Sequence, residues 1–367
     1  MNIALLEYFV MEHSILLLLV RKDLDEPLSY QIDIGEAQLN QHKAAFYQRV
    51  NQFNPNSYPP GLRKAIYQRQ LADFYQLGEQ LLTPCLDDLA DIDLLYIVPH
   101  KALHYLPFHM MRVGEQYLIE RFLVTYLPVS SLIKFCQQKN PYRSDKSKPK
   151  NPMLFASWHC DDERGGLVKQ THLDEVEQLG EHFSQKATVG LAASKQAFFD
   201  EVNDADLVHL ATHGYFFDGD NVMETSGLSL SDGQSFAPSF TDAEQIGEHQ
   251  SQFVSAHELL SCTFNQCHLV TLSTCSSAKS DNLAGDELMG LSRALFYAGA
   301  PTVLLTLWPV PVNSKLAFMR VFYRVWLKHQ HKGKAYAFQQ ATLALLRNED
   351  FKTPFHWGGY CLIGDWL

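Results

Sequence analysis

A histidine and a cysteine each follow a short apolar run in the second half of the sequence. His213 comes after residues 207–211 in DLVHLATHGYFF, and Cys275 comes after residues 269–272 in LVTLSTCSSA. Both runs are short and apolar, which predicts two buried strands. The carboxyl ends of parallel strands lie at one edge of a sheet, where ligands bind. If these strands are neighbours, His213 and Cys275 meet at that edge.

A cysteine beside a histidine is typical of nucleophilic catalysis. The thiolate is the nucleophile, and a nearby histidine lowers the pKa of the thiol or protonates the leaving amine. Gly214 has no Cβ, so its backbone N–H can approach a developing oxyanion, and the N–H of Cys275 supplies a second donor. A lone cysteine is more often a small buried apolar residue, so the inference depends on the histidine.

Strands and helices alternate in the part of the chain that carries this pair. The pattern predicts strands at 153–157, 187–190, 206–214, 269–274 and 302–308, and helices at 173–183, 194–202, 285–300, 314–329 and 334–347. Such alternation predicts an α/β fold, in which a mostly parallel sheet carries helices on both faces.

The upstream part has a different pattern. It predicts a β-hairpin at 1–20, a helical pair at 38–82 that is broken near 54–61, and strands with turns at 93–111 and 117–133. Residues 137–152 are basic and contain proline and serine, which is typical of a linker. We therefore expect an amino-terminal α+β lobe at 1–136, a linker at 137–152 and an α/β domain at 153–367.

Composition excludes several classes of protein. The 367 residues are 46% hydrophobic and 19% charged, which is typical of a globular protein rather than a disordered one. The net charge of −11 without a basic stripe argues against binding to nucleic acid or to an anionic membrane surface. The first twenty residues include Glu7 and Glu12 and are too short and polar for membrane insertion. Seven scattered cysteines, none in a C-x-x-C pair, argue against a disulfide framework or a zinc site and favour the reducing cytoplasm.

Several ordered motifs resemble one known family. HLATHGYF, LVTLSTCSSA, GDELMGLSRALFYAGAPTVLLTLWPV, FMRVFYRVW and PFHWGGYCLIGDW resemble the signatures of the CHAT family, caspase-like cysteine peptidases related to separase. YIVPHKALHYLPFHMM and YLIERFLVTYLPVSSL resemble its upstream lobe, so the likeness covers residues 94–367. The resemblance implies a caspase-like sheet and a catalytic dyad of His213 and Cys275. Many members have Trp-x-Val-Asp-Asp where this chain has Trp308-Pro309-Val310-Pro311-Val312, without either aspartate.

A substrate groove is predicted beside the dyad. Its expected residues are Trp308, Val310, Pro311, Val312, Asp286 and Glu287. Trp308 is equally consistent with a groove wall and with the core, and residues 310–312 are expected to form an edge that pairs with an extended substrate. Asp286 and Glu287 could select a basic side chain, although acidic residues in the first turn of a helix more often interact with the helix dipole.

No cofactor is expected. Acyl transfer by a cysteine nucleophile needs no metal or organic group. His100, His104 and His109 could suggest metal ligands, but intervening prolines break any helix that would align them. We therefore interpret the three histidines as structural.

These observations predict a cytoplasmic cysteine endopeptidase that cleaves a partner protein through an acyl-enzyme on Cys275. One alternative is a catalytically silent CHAT scaffold that binds partners through the same groove. Another is a hydrolase that acts on a small thioester or amide. The resemblance also implies a role in prokaryotic defence or cell death, with a gasdermin-like pore former as one candidate substrate.

Regulation is expected to act through the long connection at 216–255. It is polar and glycine-punctuated, and SGLSLSDG within it is expected to form a small hairpin. Long connections of this kind often serve as lids or binding loops. We expect the isolated chain to be a weak peptidase until an activating or sensor protein in trans, or a processing cut, orders this loop. Residues 139–151 are expected to be the most protease-sensitive segment.

Overall fold

The computed structural model describes residues 1–160, 166–215, 217, 221–276 and 286–367. Its strands are β1 (Ile3–Val10), β2 (Ile15–Arg21), β3 (Leu28–Ile32), β4 (Leu94–Val98), β5 (Arg112–Val113), β6 (Gln116–Tyr117), β7 (Leu123–Tyr126), β8 (Pro152–Ala156), β9 (Thr188–Val189), β10 (Leu207–Tyr215), β11 (Gly227–Ser229), β12 (Phe253–Ser255), β13 (Val270–Ser276), β14 (Thr302–Thr306) and β15 (Tyr360–Gly364).

The helices connect and cover these strands. They are α1 (Glu36–Gln52), α2 (Pro60–Gln70), α3 (Ala72–Leu82), α4 (Leu118–Arg121), α5 (Leu132–Lys139), α6 (Pro141–Asp145), α7 (Leu167–Phe183), α8 (Lys195–Glu201), α9 (Val222–Thr225), α10 (Ala243–Glu248), α11 (Ala256–Leu259), α12 (Asp286–Tyr297), α13 (Val312–Lys328) and α14 (Gly333–Leu346). Among the described residues, no helix has both the length and the apolar character needed to cross a membrane.

One large sheet runs through the described chain. Its order is β12-β11-β10-β13-β14-β15-β7-β4-β1-β2-β3, and β8 pairs with both β10 and β9. The pairs β8–β9, β8–β10, β10–β13, β13–β14, β15–β7, β7–β4 and β4–β1 are parallel. The inner pair β14–β15 and the pairs β1–β2, β2–β3, β10–β11 and β11–β12 are antiparallel. The predicted fold class, a mostly parallel sheet with helices, is confirmed.

Burial of the strands follows their place in the sheet. Strands β4, β8, β14 and β15 are buried along their whole length, as expected of inner strands covered on both faces. In β1 the burial alternates, so that Leu6 and Tyr8 are buried while Leu5 and Glu7 are partly exposed. The amino-terminal hairpin predicted from the sequence is confirmed by the antiparallel register of β1 and β2.

The carboxyl-terminal strand joins the two ends of the chain within this sheet. Strand β15 pairs antiparallel with β14 and parallel with β7. Thr125 of β7 donates its hydroxyl hydrogen to the carbonyls of Leu362 and Gly364. The division into a lobe and a larger domain stays a prediction, because a shared sheet does not by itself decide which parts fold independently.

The first part of the predicted linker is helical in the structure. Helices α5 and α6 occupy residues 132–139 and 141–145, and Arg143 forms an ion pair with the buried Asp365 at 2.6 Å. The local signal lies at Asn140 and Pro141: the Asn140 side chain accepts a hydrogen bond from the backbone of Tyr142, and proline occupies the first helical position. These residues are therefore anchored to the carboxyl-terminal strand rather than unstructured.

Candidate active site

The histidine and cysteine strands lie side by side. Strands β10 and β13 are parallel neighbours over their whole paired length, and the register sets the Cα of His213 opposite the Cα of Cys275. Gly214 is likewise opposite Ser276. Both strands end within two residues of this pair. The expected adjacency of these two strands is therefore confirmed at the level of the backbone.

The two strands present the pair on one face of the sheet. Because alternate residues of a strand share a face, positions 209 and 213 lie on one face of β10, and positions 271 and 275 lie on the matching face of β13. His209 Nδ1 and Thr271 Oγ1 both lie within hydrogen-bond distance of the Tyr323 hydroxyl on α13, at 3.0 and 2.6 Å. This is therefore the face that α13 covers, and positions 213 and 275 lie on it near the carboxyl ends of the two strands.

Two further histidines surround His213. The imidazole of His159 stacks on that of His213, with ring centroids 3.7 Å apart and planes 17° from parallel. The ring of His172, on α7, meets His213 edge to face at 5.7 Å and 61°. His159 and His172 are buried, whereas His213 is partly exposed. Neither of these two histidines was predicted from the sequence to belong to the site.

Hydroxyl groups hold the ring of His159. Its Nε2 lies 2.8 Å from the Tyr215 hydroxyl, and its Nδ1 lies 3.0 Å from the Ser239 hydroxyl. The Tyr215 hydroxyl also accepts a hydrogen bond from the backbone N–H of Phe240 at 3.1 Å. The ring is therefore fixed by contacts to β10 and to the connection that follows it.

His172 is a neutral imidazole with a defined tautomer. Its Nδ1 lies 2.8 Å from the carbonyl oxygen of Ser157, and since a carbonyl only accepts, Nδ1 carries the hydrogen. Burial, the positive charge of Lys315 and the neighbouring His213 lower the pKa of His172 to about 3. His172 therefore presents an uncharged ring to His213 at neutral pH.

A buried charged cluster lies behind the histidines on the same face. Glu175 of α7 forms an ion pair with Lys315 of α13 at 3.2 Å and a hydrogen bond with His209 Nε2 at 3.0 Å. Burial alone would raise the pKa of Glu175, but the Lys315 charge and the His209 hydrogen bond lower it below the ordinary range. The cluster therefore contains an ionised carboxylate and joins α7, β10 and α13.

The helical spacing around Glu175 is a signal that the sequence contains. Glu175 lies seven residues after Val168 and four before Leu179, the spacing of an apolar stripe, and it is buried in the structure. A carboxylate on that stripe needs a buried partner, because an unpaired charge is costly to bury. The sequence could not identify Lys315 as that partner, since α13 is distant along the chain.

Gly214 lies inside the sheet. It is buried, with Leu228 of β11 opposite on one side and Ser276 of β13 on the other. Its role as an oxyanion donor stays a prediction.

Trp308 is buried in the core, in contact with residues from the amino-terminal and carboxyl-terminal parts of the chain. Its Nε1 donates a hydrogen bond to the carbonyl of Phe355 at 3.1 Å, and its ring meets that of Phe46 edge to face at 5.9 Å. A Cβ added to Gly359 would lie 2.8 Å from the indole, so the backbone packs closely on it. Of the two interpretations of Trp308, these contacts favour a core residue.

The edge predicted at 310–312 extends no further than Pro311, because a helix begins at Val312. Val310 is buried, Pro311 is the N-cap of α13, and Val312 is its first residue. The hydroxyl of Ser314 donates to the Pro311 carbonyl within this first turn. The backbone at 310–312 therefore turns into α13 instead of continuing as an extended edge.

The two predicted acidic groove residues and two of the three upstream histidines remain to be described. Asp286 and Glu287 form the start of α12, but their side chains lie outside the described part of the structure. His100 Nδ1 accepts a hydrogen bond from the backbone of Val10 at 2.9 Å, and the buried His109 Nδ1 lies 2.9 Å from the Tyr126 hydroxyl. His100 and His109 therefore belong to separate local contacts.

The connection after the histidine strand contains regular structure. Strand β11 pairs antiparallel with both β10 and β12. The prediction of a small hairpin within residues 226–233 is therefore wrong. A small apolar cluster holds this region together, formed by Tyr215, Ala237, Phe240, Ile246 and Phe253. Residues 216 and 218–220 of the connection lie outside the described residues. The described part of the connection is therefore an edge of the sheet with its own packing.

Known proteins resemble this chain in sequence and in fold. The CHAT domain family model matches residues 72–365. Tetratricopeptide repeat protein 28 of Homo sapiens is 28% identical over 296 residues, and its Mus musculus counterpart is 28% identical over 298 residues. Each alignment covers 74% of this chain and 12% of the relative, so the chain spans a small part of the curated relatives that it matches.

A solved structure of separase has a similar fold. The chain matches separase in the Saccharomyces cerevisiae separase–securin complex with a TM-score of 0.59 and 9% identity. The match covers 99% of this chain and 30% of the separase chain. At this identity the likeness concerns the fold alone, and it confirms the caspase-like class. Because the family model matches most of its length, this chain belongs to the CHAT domain family.

Proposed function

We propose that this chain is a cysteine endopeptidase in which Cys275 is the nucleophile and His213 is the general acid–base. The observation that carries the proposal is the register of β10 and β13, which sets these two residues opposite each other near the carboxyl ends of parallel strands. A nucleophile and a base on adjacent rigid strands have the fixed mutual geometry that acyl transfer requires.

The proposed reaction has two stages. His213 takes the proton of the Cys275 thiol, and the thiolate attacks the carbonyl carbon of the scissile peptide bond. The tetrahedral intermediate collapses as the imidazolium of His213 protonates the leaving amine, which leaves an acyl-enzyme. Water then attacks the thioester, with His213 as base, and releases the thiol and a carboxylate product.

The oxyanion of each tetrahedral intermediate needs hydrogen-bond donors. We assign this role to the backbone N–H groups of Gly214 and Cys275. Asp286 and Glu287, at the start of α12, are proposed to contact the substrate.

The cysteines support a reducing compartment. Six described cysteines are free, and five of these are buried: Cys85, Cys136, Cys262, Cys267 and Cys361. Since unpaired thiols persist under reducing conditions, we propose a cytoplasmic enzyme. We also propose that residues 153–367 carry the catalytic machinery and that residues 1–136 form a supporting lobe.

A catalytically silent scaffold is the second candidate. The Homo sapiens and Mus musculus relatives are named for tetratricopeptide repeats rather than for a peptidase activity, which favours a binding role. The defence role, the activating protein in trans and the gasdermin-like pore former rest on the family resemblance alone.

Identification of cleaved termini in a proteome tests the function directly. Wild-type chain should generate new protein amino termini that the Cys275→Ala variant does not. Cys160→Ala is the matched control, because the Cys160 side chain is exposed and the proposed mechanism assigns it no role. His213→Ala should lower the cleavage rate by about 10²–10⁴-fold, the usual contribution of a general acid–base. His13→Ala is its control, because the His13 side chain is 88% exposed.

The outcomes separate the two candidates. Cleavage by folded Cys275→Ala protein would refute the proposed nucleophile. Identical termini with and without the chain, but capture of the same partners by wild type and Cys275→Ala, would support the scaffold instead.

A further inference from the structure

The segment after β8 carries a histidine to the face of the proposed base. Strand β8 pairs with β10 only as far as Ala156 opposite Ala211, and β11 takes over as the neighbour of β10 from His213 onward. Residues 157–160 therefore leave the sheet at the level of His213. His159 stacks on His213 at this point, with a ring separation of 3.7 Å.

Each residue of this short segment is fixed separately. The N–H of Ser157 donates to the Ala211 carbonyl at 3.0 Å, and the N–H of Cys160 donates to the Ala237 carbonyl at 3.2 Å. Between them, Trp158 is buried and stacks on Phe236, with centroids 5.3 Å apart. The backbone on both sides of His159 is therefore immobilised.

The ring of His159 is also fixed against rotation. Hydroxyl groups of Tyr215 and Ser239 contact its two nitrogens, at 2.8 and 3.0 Å. Tyr215 lies on β10, two residues after His213, so one partner belongs to the strand that carries the proposed base. A stacked ring that is held at both nitrogens forms a rigid wall against one face of His213.

From this geometry we propose that His159 is a positioning residue for His213, an inference that rests on the proposed function. The stacked ring restricts rotation of the His213 imidazole and so keeps its reactive nitrogen directed toward position 275. Small displacements of a catalytic group cause large losses of rate, so such a restraint has a measurable effect.

One neighbouring ring also suits the charge that forms during the reaction. When His213 accepts the thiol proton it becomes an imidazolium, and an uncharged aromatic ring in contact with a cation causes no charge repulsion. This ring, that of His172, is neutral because its pKa is lowered to about 3 by burial, by the charge of Lys315 and by His213. The ammonium of Lys315 is paired with Glu175 behind His172.

Alkylation of Cys275 by iodoacetamide tests the proposal without a known substrate. The rate depends on the thiolate, which His213 generates, and mass spectrometry of the Cys275 peptide isolates it from the other cysteines. A Cys160→Ala background removes the exposed thiol beside His159. In that background, His159→Ala should slow alkylation of Cys275 by about 10- to 100-fold.

Conservative variants separate positioning from folding. His159→Phe keeps a stacking face without the nitrogens and should recover the rate to within about threefold of wild type. Tyr215→Phe removes one hydroxyl contact and should give a smaller loss than His159→Ala. Near-ultraviolet circular dichroism should be unchanged in all three variants, and the His213 ring proton signal in NMR should shift when the stacked ring is removed.

Each result bears on one of two claims. A wild-type alkylation rate in His213→Ala would refute the proposed function, whatever His159 does. A slow His213→Ala variant with a wild-type rate in folded His159→Ala would refute the positioning role alone. So would a His159→Phe variant as slow as His159→Ala, because stacking would then not be the means.

Discussion

Replacing Glu175 with glutamine is expected to destabilise the folded chain by about 3 kcal/mol, at the lower end of the cost of breaking a buried ion pair. The Glu175 carboxylate and the Lys315 ammonium are both buried and lie 3.2 Å apart. Glutamine has nearly the same shape, so packing is preserved and the lost charge is the main change. The amide oxygen can still accept a hydrogen bond from His209 Nε2, which keeps the expected cost near the lower limit.

The magnitude follows from the geometry of the cluster. Two unit charges 3.2 Å apart attract by about 5 kcal/mol at an effective dielectric constant of about 20. Desolvation of both groups offsets much of this attraction in the intact pair. In the variant, the desolvation cost of Lys315 remains while its charged partner is gone, so the free energy of unfolding decreases.

Urea denaturation followed by tryptophan fluorescence and circular dichroism measures this loss. Glu177→Gln is the matched control, because Glu177 is exposed on the same helix and should change stability by less than about 0.5 kcal/mol. The double variant Glu175→Gln with Lys315→Met should recover most of the loss, since no charge is then left unpaired. A loss below about 1 kcal/mol in Glu175→Gln, or simple additivity in the double variant, would refute the reasoning.

Three further predictions follow from buried groups elsewhere. Burial lowers the pKa values to about 3, about 3 and about 4 in His109, His172 and His356. These pKa values lie below the value of about 6.5 in the unfolded chain, so below that pH the unfolded state binds protons that the folded state does not. The free energy of unfolding should therefore be highest above about pH 6.5 and should fall, as the pH is lowered, by about 1.4 kcal/mol per pH unit for each histidine. Urea midpoints that are equal near pH 7 and near pH 5 would contradict this. Gly227→Ala places a Cβ 2.1 Å from the Val254 carbonyl oxygen and should cost at least about 1–3 kcal/mol by the same assay, whereas Gly247→Ala, with nothing within 4 Å, should be neutral or stabilising. Trp308→Ala should lower stability by about 3–5 kcal/mol in thermal unfolding, and unchanged stability would restore its interpretation as a groove wall.

Elements with local signals could be predicted from the sequence. A helix was expected at 194–202, and the hydroxyl of Ser194 accepts a hydrogen bond from the backbone of Ala197 at the start of α8. The strands that end near His213 and Cys275 were found from their apolar runs, and their parallel pairing is confirmed. In both cases the information lies within a few neighbouring residues, where capping and burial act directly.

Elements that depend on distant partners were placed less well. Strand β11 is three residues long, and the pairing with β10 and β12 that defines it joins separate parts of the chain. A short run of this kind carries no periodicity from which a partner could be chosen. The start of α13 at Val312 was missed for a related reason, because an apolar strand followed by proline is equally consistent with a further extended segment.

The contact between His159 and His213 could not be predicted without knowing how β8 pairs with β10. Nothing in the residues around SWHC indicates an active-site contact, since a histidine after a strand is ordinary. The register changes this: Ala156 is opposite Ala211, two residues before His213, and β8 ends there. Residues 158–160, two to four positions after Ala156, must then lie beside the end of β10. The identity of residue 159 is local information, but its nearness to the proposed base follows only from the pairing of β8 with β10, and so the positioning role could be inferred only once that pairing was known.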